Sequence, residues 1–280
     1  MTSNTAPQNA RNTRPTAPFT TMLRSRIRQP QFYWFLGHLL TLYHFLRFHI
    51  AILSIPKQKY HYRMILLNIS ITYGIVLYQF IKSKQLQLNW NNLRQNLKTL
   101  DNLQYFIMLS TLLICSILSR GNVTINGASY GPVIFSLFHC LNYFKENLLP
   151  FLPISIVWKN LINTNISIFI NNYNGKFLTM AQTLEILCAL RLASYGLPIA
   201  LLKTLIMPSL NHILSLLATV NYIWFFKLRF LQSQPMRLIM NEFIKKIDIT
   251  VMNSNLPPNI KSYWNKYKSI VKNLFDKIPA

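Results

Sequence analysis

Long runs of apolar residues with almost no charge divide this chain, and they limit its fold more than any other feature. They are Phe32 to Ile55, Met64 to Ile81, Leu103 to Ser119, Pro132 to Leu149, Ile186 to Leu202 and Ile206 to Phe226. Each approaches the about 20 residues that carry a helix across a hydrocarbon core, where every backbone polar group must be bonded inside the protein. Pro198 and Pro208 interrupt the last two, so one or both re-enter or cross. The expected fold is therefore all-α: a polytopic integral membrane protein with four to six membrane helices and C-terminal amphipathic helices. Composition agrees, because 51% hydrophobic and 12% charged residues leave too few charges to cover a water-exposed surface.

The connections divide the chain into three parts. Residues 1–30, rich in Thr, Asn, Pro and Ala with five arginines, read as a disordered basic arm. The apolar run after them is too long for a signal peptide and lacks a small-residue cleavage site, so it is expected to stay as the first membrane segment. Residues 31–230 form the transmembrane domain. Within it, Pro56 closes a first hairpin, residues 82–102 place Leu86, Leu93, Leu97 and Leu100 at helical spacing, and Pro150 and Pro153 break the fourth segment. Residues 159–183 are expected to be an Asn-rich polar loop. Residues 231–280 are a basic cytosolic tail.

Charge sets the orientation. The chain carries 29 Lys and Arg against 6 Asp and Glu. With six segments threaded and the N-terminus in the cytosol, 21 of the 29 fall on the cytosolic side, the preference of the positive-inside rule for both termini. Lys57, Lys59 and Arg63 are the exception, in a loop on the opposite side, which a shallow first hairpin would relieve.

Little here supports catalysis. Cys115, Cys140 and Cys188 stand alone in apolar runs, without metal-ligand spacing. The six carboxylates, Asp101, Glu146, Glu185, Glu242, Asp248 and Asp276, are not paired at helical spacing. His38, His44 and His49 share a segment, but His44 and His49 are about 140° apart on a helix and do not converge as metal ligands. No phosphate loop or dinucleotide glycine pattern occurs. No cofactor, metal or catalytic residue is expected, nor direct nucleic-acid binding. Arg47, Lys145, Glu146 and Arg191 fall inside segments, where Arg47 or Arg191 is expected to snorkel or to pair with Glu146 or Glu185. The sequons at Asn68, Asn122 and Asn165 are expected to stay unmodified; only Asn122 lies in a non-cytosolic loop, close to the membrane.

The tail carries the strongest pattern. Ile260, Tyr263, Trp264, Tyr267, Ile270, Val271, Leu274, Phe275 and Ile278 recur at three- and four-residue steps, and Lys261, Lys266, Lys268, Lys272 and Lys277 lie off that face. These fourteen residues are the expected membrane-binding site, a helix lying in the interface of an anionic bilayer. Met236 to Val251 is a second amphipathic stretch, and the two helices packing on each other as a cytosolic cap is the competing arrangement.

The stretch PVIFSLFH from Pro132 to His139 with Tyr143 and Lys145, the run YIWFFKLRF from Tyr222 to Phe230 with Arg237 and Asn241 to Phe243, and the Pro-ending tail resemble the transmembrane protein 33 family. QFYWFLGH from Gln31 to His38 and the basic tail are similar to its fungal branch of pore-membrane nucleoporins. The resemblance implies a non-enzymatic protein of the endoplasmic reticulum and nuclear envelope with both ends cytosolic. It further implies a role in nuclear pore assembly or distribution, with nucleoporins, importin and reticulon-type proteins as partners besides anionic lipid. The rival readings are a small-solute transporter with Pro-broken helices and a lipid-modifying membrane enzyme.

Overall fold

Proline and small polar residues punctuate the chain, and in the computed structural model, which describes residues 19–279, every regular element between them is helical. Phe19–Ile27 (α1) leads into Pro30–Ile50 (α2), which starts at its proline and runs on as a tight turn to Leu53. Ile55–Lys82 (α3) returns beside it. Five helical spans are long and apolar enough to cross a membrane: Pro30–Leu53, Ile55–Lys82, Asp101–Leu118, Ile156–Ile206 and Leu210–Gln232. The chain is thus an all-α membrane protein, as the apolar runs required.

The α2–α3 hairpin is close because Gly37 has no side chain: a Cβ there would stand 2.5 Å from Thr72 Cγ2. Thr41 bonds back to the Gly37 carbonyl and Thr72 to that of Ile69, so the polar groups at this seam are satisfied within each helix. Gly37→Val is expected to push the helices apart and cost about 1–3 kcal/mol. Thermal unfolding in detergent checks this, and Gly175→Val, at a site with nothing within 4 Å, serves as the neutral comparison.

Trp90–Thr99 (α4) is the short amphipathic helix expected in residues 82–102. Asn89 caps it by accepting from the Asn92 N–H at 2.7 Å. Its Leu93 and Leu97, with Leu100, pack on Leu77, Leu86 and Leu103, which brings the end of α3 to the start of Asp101–Leu118 (α5). Tyr130–Tyr143 (α6) then continues through one wide π turn, Phe144–Leu148, before Pro150 and Pro153 stop it.

The Asn-rich residues 159–183, expected to form a loop, are instead part of a long helix, Ile156–Arg191 (α7), capped by Ser155. Asparagine tracts read as loop because Asn is a weak helix former, yet here the polar residues fall at helical spacing. Asn160, Asn163, Thr164, Ser167, Asn171 and Asn174 make one stripe, and Phe169, Ile170, Phe177 and Ala181 face Ile134 and Phe138 of α6. Apolar burial outweighs propensity differences of up to about 0.7 kcal/mol per residue. A second π turn, Leu192–Gly196, links α7 to Leu197–Ile206 (α8), so the fifth segment reaches Ile206. Pro208 ends it and Ser209 caps Leu210–Gln232 (α9), which moves the sixth segment a turn later than its apolar run suggested.

Residues 19–27 of the stretch expected to be disordered form α1, because Met22 finds a buried position at 5% exposure; residues 1–18 lie outside the described residues. Antiparallel α2 and α3, the α3–α5 junction and a 2.8 Å bond from Gln232 Nε2 to the Thr99 carbonyl bring the start of α2 and the end of α9 to the same end of the bundle. The helices Gln234–Asn253 (α10) and Pro258–Lys277 (α11) follow at that end.

Candidate functional site

The nine apolar residues of the tail do not act as one face. Trp264, Val271, Phe275 and Ile278 turn inward and are half-buried, with Lys261 and Lys268 on the same side. Phe275 and Ile278 join the main core; the Phe275 ring packs on Phe226 and Phe230, and the Lys227 ammonium sits 4.4 Å from its centre. Lys227 also donates to the Phe275 carbonyl at 3.0 Å, capping the end of α11. Ile260, Tyr263, Tyr267, Ile270 and Leu274, stepping by three and four residues, form a second stripe that stays 44–69% exposed. Lys266 and Lys277 flank this stripe, and Lys272 is exposed beyond it. Tyr267 touches Ser194, a residue inside the Ile156–Ile206 span, so α11 lies alongside a membrane-crossing element.

Asp248 of α10 fixes the other end of the tail. It accepts from Lys268 Nζ and from the Trp264 indole N–H, each at 2.6 Å, and Lys261 donates to the Met252 carbonyl at 2.7 Å. The Lys268 and Trp264 bonds hold the Asp248 carboxyl below its usual range. A depressed carboxylate stabilises docking above its free value, near 3.8, and loses that contribution as pH falls through the lowered one. Trp264 emission is therefore expected to stay constant from pH 7 to 5 and to change only in stronger acid. Asp248→Asn should remove that transition.

A second cluster lies inside the bundle. Arg229 of α9 pairs with Asp101 Oδ2 at 2.7 Å and faces Glu185 Oε2 at 4.0 Å, with its guanidinium 5.2 Å from the centre of the Tyr105 ring. Tyr105 donates its hydroxyl to Glu185, and Tyr73 stacks on Tyr105 at 5.3 Å. Gly131 leaves room for this carboxylate, since a Cβ there would meet Glu185 Oε1 at 2.5 Å. The cluster joins α5, α7 and α9 through the buried Arg229 and Glu185, with Asp101 half-exposed at its edge.

Sequence reasoning missed this. Arg47 and Arg191, expected to snorkel or to pair with Glu146 or Glu185, are both exposed, and the cation that faces Glu185 is Arg229, which the sequence did not single out. The signal was present: on a helix extended past Phe226, Arg229 follows Phe225 and Phe226 by four and three residues and shares their buried side. The histidines also find partners across helices. His38 Nδ1 lies 2.8 Å from Ser136 Oγ, and His44 Nδ1 lies 2.9 Å from His61 Nδ1. Asn68 is buried and bonds Met64, while Asn122 accepts from Lys59.

Several apolar crossings, a charge cluster locking three of them, and an amphipathic helix along the bundle define the class: a multi-pass α-helical membrane protein. The chain belongs to the family described as Transmembrane protein 33/Nucleoporin POM33, whose pattern matches residues 14–276. It is 50% identical over 280 residues to the Saccharomyces cerevisiae protein named "Pore and endoplasmic reticulum protein of 33 kDa", covering 99% of this chain and 100% of the relative. It is 24% identical over 253 residues to "Tetra-spanning protein 1" of Schizosaccharomyces pombe, covering 88% of this chain and 84% of the relative. "Nucleoporin POM33" of Chaetomium thermophilum is 23% identical over 269 residues, with 88% of this chain and 85% of that one covered. No solved structure matches the chain.

Proposed function

We propose that this protein is a non-enzymatic membrane protein of the endoplasmic reticulum and nuclear envelope that contributes to nuclear pore assembly or distribution and to membrane organisation. Its bundle anchors it, and α11 reads the adjacent leaflet. The observation that carries this reading is the exposed stripe Ile260, Tyr263, Tyr267, Ile270 and Leu274, held outward by the docked edge of the same helix and flanked by lysines. A soluble surface would not leave five large apolar side chains in a row, whereas an interfacial helix needs them. The names of the relatives, a pore and endoplasmic reticulum protein and a nucleoporin, support the compartment.

Both termini are assigned to the cytosol by the count of basic residues. Nucleoporins, importin and reticulon-type proteins remain the proposed protein partners, with anionic lipid as the contact of Lys266 and Lys277, which flank the stripe. A tagged full-length copy is expected at the nuclear rim in puncta as well as in the reticulum, with tags at both ends digested by protease added outside sealed microsomes. A uniformly cell-surface pattern, or protection of either tag, contradicts the proposal.

A further inference from the structure

At the end of the bundle opposite the start of α2 and the end of α9, the described residues gather positive charge and offer no carboxylate to balance it. The α2–α3 turn and the connection from α5 to α6 bring Arg47, Lys57, Lys59, Arg63 and Arg120 to this end. The four ion pairs among the described residues use Lys227, Arg229 and Lys268 with Asp101, Glu185, Asp248 and Asp276, none of them here. Glu146 follows α6, on the side of its neighbours Trp34 and Phe35, and Glu242 is in α10, so no carboxylate is left for this end. Positive charge on this side also runs against the orientation rule that the rest of the chain obeys.

The surface here is shaped. A cavity of about 200 Å³ opens between the α2–α3 turn and the α5–α6 connection, with Phe48, Ile55 and Tyr62 as apolar wall and Lys59, Asn122 and Asn126 as polar lining. The Lys59 stem lies across Gly121, which has φ +82° and could not carry a Cβ without standing 3.0 Å from that stem. The ammonium is thereby brought to Asn122 Oδ1 at 2.6 Å, a neutral acceptor that leaves its charge uncompensated. Arg63 is fixed one turn on by a bond from its Nε to the Lys59 carbonyl at 3.4 Å.

We infer that this cavity binds the phosphate of an anionic phospholipid in the leaflet opposite the termini, with Lys59 as the primary contact and Arg63 as the supporting charge. An ammonium at the edge of a bilayer meets phosphodiester groups as its most abundant anion, and charge-assisted bonds to them are the strong kind. The volume suits a headgroup phosphate, and the apolar wall takes the glycerol and first acyl carbons.

The test uses full-length protein extracted in mild detergent and reconstituted in nanodiscs of phosphatidylcholine with or without phosphatidylserine or phosphatidylinositol. Native mass spectrometry counts the lipid that remains bound. The wild type is expected to retain one anionic phospholipid per chain. Asn122→Asp supplies the missing counter-charge with almost no change of shape and should weaken retention about fivefold or more, as should Lys59→Gln, each charge being worth about that factor at a membrane surface. Lys59→Arg should restore it. Leu274→Asp, on the tail stripe, should leave this lipid in place, which separates the cavity from the tail. Inorganic phosphate at millimolar concentration should not displace it; displacement would show a site for soluble anions instead. Equal retention by Asn122→Asp and wild type overturns the inference, and that isosteric variant decides the matter even if Lys59→Gln does not fold.

Discussion

Arg229→Leu is expected to destabilise the bundle by about 3–5 kcal/mol, more than any other single change considered, because it leaves the Glu185 carboxyl inside the protein without its facing cation and removes the pair with the half-exposed Asp101. Arg229 is 5% exposed and serves Asp101 and Glu185 together. Glu185 is 2% exposed; its Oε1 keeps Tyr105, but Oε2 faces only Arg229 and has no hydrogen-bond partner. Thermal unfolding in detergent and steady-state abundance in cells should both fall sharply. Because the loss comes mainly from the orphaned charge, Arg229→Leu combined with Glu185→Leu should recover part of it, an interaction that a double-mutant cycle measures. If the single variant melts with the wild type, the cluster does not hold α5, α7 and α9 together.

Tyr263→Asp with Leu274→Asp is expected to abolish lipid contact by α11 without unfolding it. Both side chains belong to the exposed stripe, at 69% and 61% exposure, and neither takes part in the contacts with Asp248, Phe226 or Lys227. Each substitution removes apolar burial, worth about 1.5–3 kcal/mol when complete, and adds repulsion from an anionic surface. A peptide of residues 255–280 carrying both changes should fall at least about tenfold in liposome binding and should fail to become helical there. Full-length protein should stay in the membrane through its spanning helices and lose its enrichment at the pore-bearing envelope. Trp264→Asp should behave differently: it strikes the docked edge, so the tail should detach from α10 while its stripe still meets lipid. Unchanged binding by the Tyr263 and Leu274 variant would make the stripe a protein-packing surface.

The membrane fold was legible because apolar runs of this length have few solutions; the helices around Phe32, Met64 and Leu103 lie where their runs are, the first two opening at Pro30 and Pro56. Residues 159–183 were not, since asparagine is a weak helix former and the apolar partners Phe169 and Phe177 meet Phe138, far away in sequence. The Glu185–Arg229 pair was hidden for a related reason: 44 positions separate the residues, and Arg229 sits past the last strongly apolar stretch. In the tail, the apolar face was visible, but its division into a docked edge and a free edge depends on Asp248 and Lys227, which periodicity within α11 cannot report.

The central claim, that the free edge of α11 lies in lipid, is tested most directly by depth. Single cysteines at Leu274 and at Asn273, introduced into full-length protein whose three native cysteines are buried, carry an environment-sensitive fluorophore in anionic liposomes. Neighbouring positions on a helix point about 100° apart, so the pair reports orientation as well as proximity. The probe at 274 is expected to shift to the blue and to be quenched by nitroxides attached to the acyl chains, while the probe at 273 is quenched by aqueous iodide. Equal access of iodide to both positions, with no acyl-chain quenching at 274, would contradict the account.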